Sequence, residues 1–270
     1  MTAISTKIHT RLVAGLKKYQ SVLTNAKSKD INESDTVLII SDMLADIFGY
    51  DKYSEITSEY AVKKTFCDLT IKIESKVHFL IEVKAIGLDL KEDHIRQALD
   101  YGSNLGVDWI VLTNGIVWKL YKVIFGKPVM HELVFEFNMI TINYKKDSDL
   151  DLLFCLCKES LGKSVLEDFH AQKQALNRFY IGQIILTDSV IEAIRKTLKK
   201  TSPDIKPTYE DIESLLRMEV LKREILEGDK MEEAKKRIQK AFRAIEKKAA
   251  QVAKKEDGAE LGNTGTFSIV

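Results

Sequence analysis

The chain has 270 residues, 45% of them hydrophobic and 30% charged, with a formal net charge of +1. This balance excludes a wholly disordered chain and leaves no global field, so any attraction for a polyanion must come from a local basic surface. Three cysteines (Cys67, Cys155, Cys157) suit neither a disulfide framework nor a four-ligand zinc site, and there is neither a run of eighteen apolar residues nor a signal peptide; a reduced, cytoplasmic protein without a membrane span is expected.

Residues 4 to 24 carry apolar positions at helical spacing, Ile8, Leu12, Leu16, Tyr19 and Leu23, ahead of the polar break NAKSKDINES. From Ser34 to Phe48 the stripe Val37, Ile40, Leu44, Ile47 and Phe48 predicts an amphipathic helix closed by Gly49. Three β-rich runs follow at 55–60, 66–74 and 77–84, then a helix near 91–104. Two strands in VDWIVLTNGIVWKLYKV join across Asn114-Gly115, a favoured two-residue hairpin turn, and Met130 to Phe137 adds another. The expected fold class is α/β, a mixed central β-sheet flanked by helices, with an α-helical C-terminal region.

A boundary is expected after residue 145. A helical region then covers 146–255, with a linker bracketed by Pro203 and Pro207 and a break at Gly228-Asp229. Its last helix repeats Met231, Ile238, Ile245 and Val252 at seven residues, with Ala234, Ala241, Phe242 and Ala249 beside them, a coiled-coil-like seam for packing on a neighbouring helix or on a second copy. Basic residues greatly outnumber acidic ones between Lys235 and Lys255, and a phosphate-binding role for them is the alternative reading. The segment 256–270 is expected to be a disordered tail.

The stretch CDLTIKIESKVHFLIEVKA, Cys67 to Ala85, is an apolar hairpin carrying Asp68, Glu82 and Lys84. With the turn over Glu74, Ser75 and Lys76, Ile73 lies opposite Val77, Ile71 opposite Phe79, Leu69 opposite Ile81 and Cys67 opposite Val83, all on one face. The other face then holds Asp68 directly across from Glu82, with Lys84 two residues on. Like charges about 4–5 Å apart repel by roughly 3–4 kcal/mol at an effective dielectric of 20. A hard divalent cation such as Mg²⁺, for which Mn²⁺ substitutes, would neutralise them, and the lysine would orient a water or stabilise charge building on a phosphate.

Asp68, then Glu82-Val83-Lys84 on the next strand, resembles the signature of the PD-(D/E)xK nucleases, although Phe66-Cys67 stands before the aspartate. The flanks NESDTVLIISDMLADIFGYD and HIRQALDYGSNLGVDWIVLTNGIVWKLYKV, from Asn32 to Val123, resemble the N-terminal nuclease domain of type I restriction enzyme R subunits. The resemblance implies a restriction-endonuclease-like core over 1–145 and a metal-dependent DNA endonuclease serving defence against phage. It implies Asp68, Glu82 and Glu33 as metal ligands, and Lys84, Gln97 and Tyr101 as catalytic or supporting residues. Gln97 and Tyr101 stand four apart on one helical face, with His94 a further three residues back, read as a structural or phosphate-contacting residue. Glu33 precedes Val37 by four and continues its stripe; capping or pairing with a lysine is the alternative reading.

Lys63, Lys64, Lys91 and Arg96 are candidates for a phosphate groove. ESLGKS at 159–164 lacks the first glycine of a phosphate-binding loop and a strand to feed it, so no ATP site or motor is expected. Expected partners are DNA and a motor or specificity protein. Two rivals stay open: a nuclease-derived interaction module docking through the helical region, and the same hydrolysis on RNA.

Overall fold

The computed structural model describes residues 4–62 and 65–260, without the side chains of 59–66 and 248–260. Lys63 and Lys64 therefore lie outside the described residues. The chain divides into two compact units, Met1–Ala171 and Gln172–Val270.

The first unit opens with α1, Thr6–Ser28, capped by the Ser5 hydroxyl. Ile8, Leu12, Leu16, Tyr19 and Leu23 are its buried stripe, as their spacing requires. Gly15 lies on that stripe because a Cβ there would come within 2.6 Å of Ile47 Cγ1. Helix α2, Glu33–Asp46, is capped by Asn32 and buries Ile40, Met43 and Leu44. Gly49, at φ +83°, closes it with its amide on Ala45 O.

Six strands follow, β1 Ile56–Val62, β2 Thr65–Ile73, β3 Lys76–Val83, β4 Trp109–Thr113, β5 Val117–Ile124 and β6 Met130–Asn138, forming one sheet in sequence order. Only β3 and β4 pair in parallel. Their crossover contains a 3₁₀ turn, Glu92–Ile95, and α3, Arg96–Leu105, ended by Gly106 in the left-handed region. The sheet is thus a mixed one with helices on both faces, as expected. One core gathers residues of α1 and α2 with Leu69, Ile71, Phe79, Ile81, Val83, Val111 and Trp118. The other joins α3 to Cys67, Leu80, Ile110, Leu112, Tyr121 and Val123.

Three expectations for the strands need correction. Leu69 pairs with Ile81 and Ile71 with Phe79 as expected, but the β2–β3 turn is a two-residue one, with Glu74 and Ser75 at φ +48° and +68°. Ile73 therefore pairs with Lys76, and His78 is passed over where the register shifts, which restores the pairing nearer the site. Cys67 belongs to the α3-side core and not to that of Leu69; it lies beyond the Leu69–Ile81 pair, the last of the β2–β3 ladder. The third correction concerns β4 and β5, which are joined by three residues, Asn114 to Ile116, with Gly115 at φ +82° and Asn114 not in the left-handed region.

Helices α4 (Asp147–Cys155), α5 (Lys158–Leu161) and α6 (Val165–Ala175) come next. The first compact unit ends at Ala171 rather than 145, because Leu150, Leu153, Phe154, Cys155, Val165 and Leu166 complete the α1/α2-side core. Glu159, inside ESLGKS, forms a two-pronged ion pair with Arg11 at 2.6 and 2.7 Å, and Arg11 Nε also donates to Ile47 O. All three cysteines are buried free thiols, each pushed up to about 12 by burial.

The second unit contains α7 (Arg178–Ile185), α8 (Asp188–Thr201), α9 (Tyr209–Leu215), a π-helical turn over Leu216–Val220, α10 (Arg223–Leu226) and α11 (Asp229–Glu260). The proline-bracketed stretch between α8 and α9 is non-helical, and Gly228, at φ +91°, precedes α11. Helix α11 runs to Glu260, past the expected end at 255; residues 261–270 lie outside the described residues. Among the described residues no helix is long and apolar enough to cross a membrane.

Candidate active site

The expected acid, acid and lysine meet where β2 and β3 part. Beyond the Leu69–Ile81 pair the regular ladder stops, and Asp68 Oδ2 accepts a hydrogen bond from the Val83 amide at 2.7 Å. On β3, Glu82 and Leu80 occupy alternate positions on the α3 side of the sheet. Lys84 follows, its backbone amide on Thr113 O at 2.8 Å, which extends the parallel β3–β4 pairing by one residue.

Glu82 is only 5% exposed. Its Oε1 accepts from Lys84 Nζ at 2.7 Å, while Oε2 is buried with no hydrogen-bond partner among the described residues. Burial pushes the Glu82 carboxyl up to about 7; the Lys84 bond opposes that rise and the neighbouring Asp68 charge adds to it. For Lys84, burial acts to lower the pKa, but the Glu82 bond and the charges of Glu82, Glu33 and Asp68 outweigh it and the net shift is upward. Lys84 is therefore an ammonium at neutral pH, a donor and a positive charge and not a base.

Glu33 is the first residue of α2, and its Oε2 lies 3.7 Å from Lys84 Nζ. It does not continue the buried stripe, which begins at Thr36 and Ile40. A half-exposed carboxylate at a helix start is favoured by the helix dipole, so Glu33 avoids the cost of burial and still reaches the lysine. Among the described residues no group of three or more His, Cys, Asp or Glu is placed to hold a metal ion. Two carboxylates, Asp68 and Glu82, remain close together, and Mg²⁺ is commonly held by one or two, with water and phosphate oxygens completing its shell. The orphaned, buried Oε2 of Glu82 fits such an ion.

Gln97 and Tyr101 are positioned by α3 and part company there. Gln97 is exposed in its first turn, whereas Tyr101 is 1% exposed in the α3-side core with Leu80 and Leu112. His94 caps the 3₁₀ turn by accepting from the Lys91 amide, so it is structural. Lys91 is exposed, and Arg96 is paired with Asp93 at 2.8 Å.

Asn114 has a larger part than a turn residue. Its Nδ2 donates to Ile86 O and Leu88 O at 3.3 and 3.0 Å, and its Oδ1 accepts from the Ile116 and Val117 amides at 3.1 and 2.8 Å. It therefore clamps the segment just after Lys84 to the β4–β5 connection. Lys119 adds a bond to Leu90 O at 3.1 Å. An asparagine before glycine signals a turn in any sequence; only the folded chain brings the 86–88 carbonyls to it. Asn114→Ala strands several buried backbone groups, each costing about 1–3 kcal/mol. The expected outcome is a loss of about 3 kcal/mol in urea unfolding and faster proteolysis between residues 85 and 91; a loss below about 0.5 kcal/mol would contradict the clamp.

The fold and site thus define a mixed-sheet α/β unit with two acids and a lysine at the parting of two central strands. Residues 39–134 match the family model described as Type I restriction enzyme R protein N terminus. The match includes Asp68, Glu82, Lys84, Gln97, Tyr101 and Asn114, and leaves Glu33 outside. No curated protein and no solved structure matches the chain.

Proposed function

We propose that the first unit is a metal-dependent endonuclease of the PD-(D/E)xK type that hydrolyses DNA phosphodiester bonds. The observation carrying this reading is the buried Glu82 carboxylate, one oxygen on Lys84 and the other without a hydrogen-bond partner among the described residues, beside Asp68. An ordinary structural salt bridge would satisfy both oxygens; a carboxylate kept half-satisfied is an arrangement that suits a ligand. The match to the R-protein N terminus supports a nuclease role and, with it, DNA as the substrate.

Asp68 and Glu82 would hold Mg²⁺, with Glu33 acting through water. When bound, the ion supplies Lewis-acid neutralisation of the phosphate and a more acidic water. Lys84 donates to the attacking water or a phosphate oxygen and balances charge building on the phosphate, and the displaced strand oxygen leaves in line. Glu33, 3.7 Å from Lys84, keeps the ammonium protonated and aimed. Tyr101 supports the site from the core of α3, and Gln97, exposed at the start of that helix, is suited to contact a substrate strand.

The test is incubation of the purified chain with supercoiled plasmid, linear DNA and RNA in Mg²⁺ or Mn²⁺. Asp68→Ala and Lys84→Ala are expected to lower DNA cleavage by at least about 10²–10³-fold, the size of effect seen when one stabilising group is removed. Undiminished cleavage in both variants would rule out the site, and preferential cleavage of RNA would reassign the substrate.

A further inference from the structure

Helix α11 lies outside the segment matched to the R-protein family, and its composition is unlike that of the rest of the chain. Between Lys235 and Lys255 it carries nine basic residues and one acidic residue, Glu246. Its apolar side is used at the start: Ala234 and Ile238 are buried, Met231 is half-buried, and α11 packs on α7. Arg237 joins that contact, over the Tyr180 ring at 5.3 Å and bonded to Gln174.

Lys236, Lys240, Arg243 and Lys247 are separated by four, three and four residues, which at about 100° per residue places them in one sector about 60° wide. That sector is opposite Ala234, Ile238 and Ile245, and all four cations are exposed. Among the described residues the second unit's ion pairs fall on Arg178, Arg195, Lys196, Arg217 and Arg223, and none falls on these four. Like charges three and four apart destabilise a helix by about 0.2–0.5 kcal/mol per pair. The stripe is therefore a standing cost in the isolated protein, lifted when a polyanion lies along it.

We propose that this stripe is a second, sequence-independent DNA-binding surface that grips the phosphate backbone of duplex DNA over about 16 Å. The choice of DNA as the polyanion rests on the proposed nuclease function. An anionic membrane is the weaker fit. A helix lying on lipid buries its apolar side, and here the four cations sit at the pole opposite Ile245, where they would point to water. The same pole faces outward when Ala234 and Ile238 stay packed in their own unit, which is the orientation that phosphate contacts need.

The test measures binding of the full wild-type chain to a fluorescent 30-base-pair duplex in EDTA, over a range of salt concentrations. Each neutralised phosphate contributes about 0.9 to the slope of log affinity against log salt. The variant Lys236→Gln, Lys240→Gln, Arg243→Gln, Lys247→Gln is expected to lower that slope by about 3–4 and weaken binding at least about tenfold at 0.1 M salt. Its helicity by circular dichroism should be no lower than that of wild type, since Gln has a helix propensity similar to Lys and Arg and the like-charge pairs are removed. Lys236→Arg, Lys240→Arg, Lys247→Arg should retain the wild-type slope. An unchanged slope and affinity in the Gln variant overturns the proposal, as does binding of phosphatidylserine vesicles without binding of duplex. EDTA removes cleavage from the measurement, so failure of the nuclease assay and failure of this one are read separately.

Discussion

Glu82→Gln is expected to abolish DNA cleavage and yet to be more stable than the wild-type protein above pH 7 in metal-free buffer. Cleavage falls by at least about 10³-fold if the carboxylate is an ion ligand, because the amide keeps its size and loses its charge. The stability gain follows from the same burial. Unfolded, Glu82 ionises near its ordinary 4.5; in the fold it holds its proton to about 7. Between those values the unfolded chain gives up a proton that the fold keeps, so wild-type stability falls as pH rises from 4.5 to 7 and stays low above it. Each pKa unit is about 1.4 kcal/mol, which sets a ceiling of about 3 kcal/mol. The glutamine still buries an N–H beside apolar neighbours, so about 2 kcal/mol is expected at pH 8, shrinking toward zero by pH 5. Urea titrations of both proteins at the two pH values measure it. Added Mg²⁺ should stabilise the wild type at pH 8 and leave the variant unmoved. A variant less stable than wild type at pH 8 would mean that the Lys84 contact outweighs the burial of the charge.

The largest loss of stability is expected at Trp118. Its side chain is 1% exposed, with its ring stacked on Phe137 at 6.2 Å and tilted against Phe48 at 5.3 Å. Its indole N–H donates to Gly115 O at 2.9 Å, so the ring also fixes the β4–β5 connection that carries Asn114. Replacing a fully buried aromatic by alanine leaves a cavity that rigid strands cannot fill, and Trp118→Ala should cost about 3–5 kcal/mol in urea unfolding. Trp118→Phe should recover much of this and lose the hydrogen bond to Gly115. A cost below about 2 kcal/mol in the alanine variant would show that α1 and α2 settle into the gap.

These two residues differ in how far local sequence reveals them. The spacing of Ile8, Leu12, Leu16, Tyr19 and Leu23 determines the inward face of α1 without further information, because a 3.6-residue period has one solution. The Leu69–Ile81 and Ile71–Phe79 pairs follow in the same way from a period of two, and they bring Asp68, Glu82 and Lys84 into one neighbourhood. Local pattern fails where backbone geometry departs from the ideal period. The two-residue turn at Glu74-Ser75 and the passed-over His78 cancel each other near the site, and neither leaves a trace in the hydrophobic pattern. The side on which Cys67 is buried does not follow from its spacing to Leu69, since Cys67 lies past the end of the β2–β3 ladder and packs with the α3-side core.

Residue types and their spacing determined by themselves the order of helices and strands from α1 to β6, most of the sheet-facing positions and the nearness of Asp68, Glu82 and Lys84. Tertiary structure alone decided that Glu82 is buried with one oxygen unpartnered among the described residues, that Glu33 reaches Lys84 from the start of α2, and that Asn114 clamps the chain beyond Lys84. It also decided that α4, α5 and the start of α6 belong to the first unit, since their apolar residues complete a core laid down more than a hundred residues earlier. The physical reason is range. Periodicity is set by neighbours three or four residues away, whereas burial, pKa and the partner of a polar group depend on surfaces that meet only when distant parts of the chain pack together.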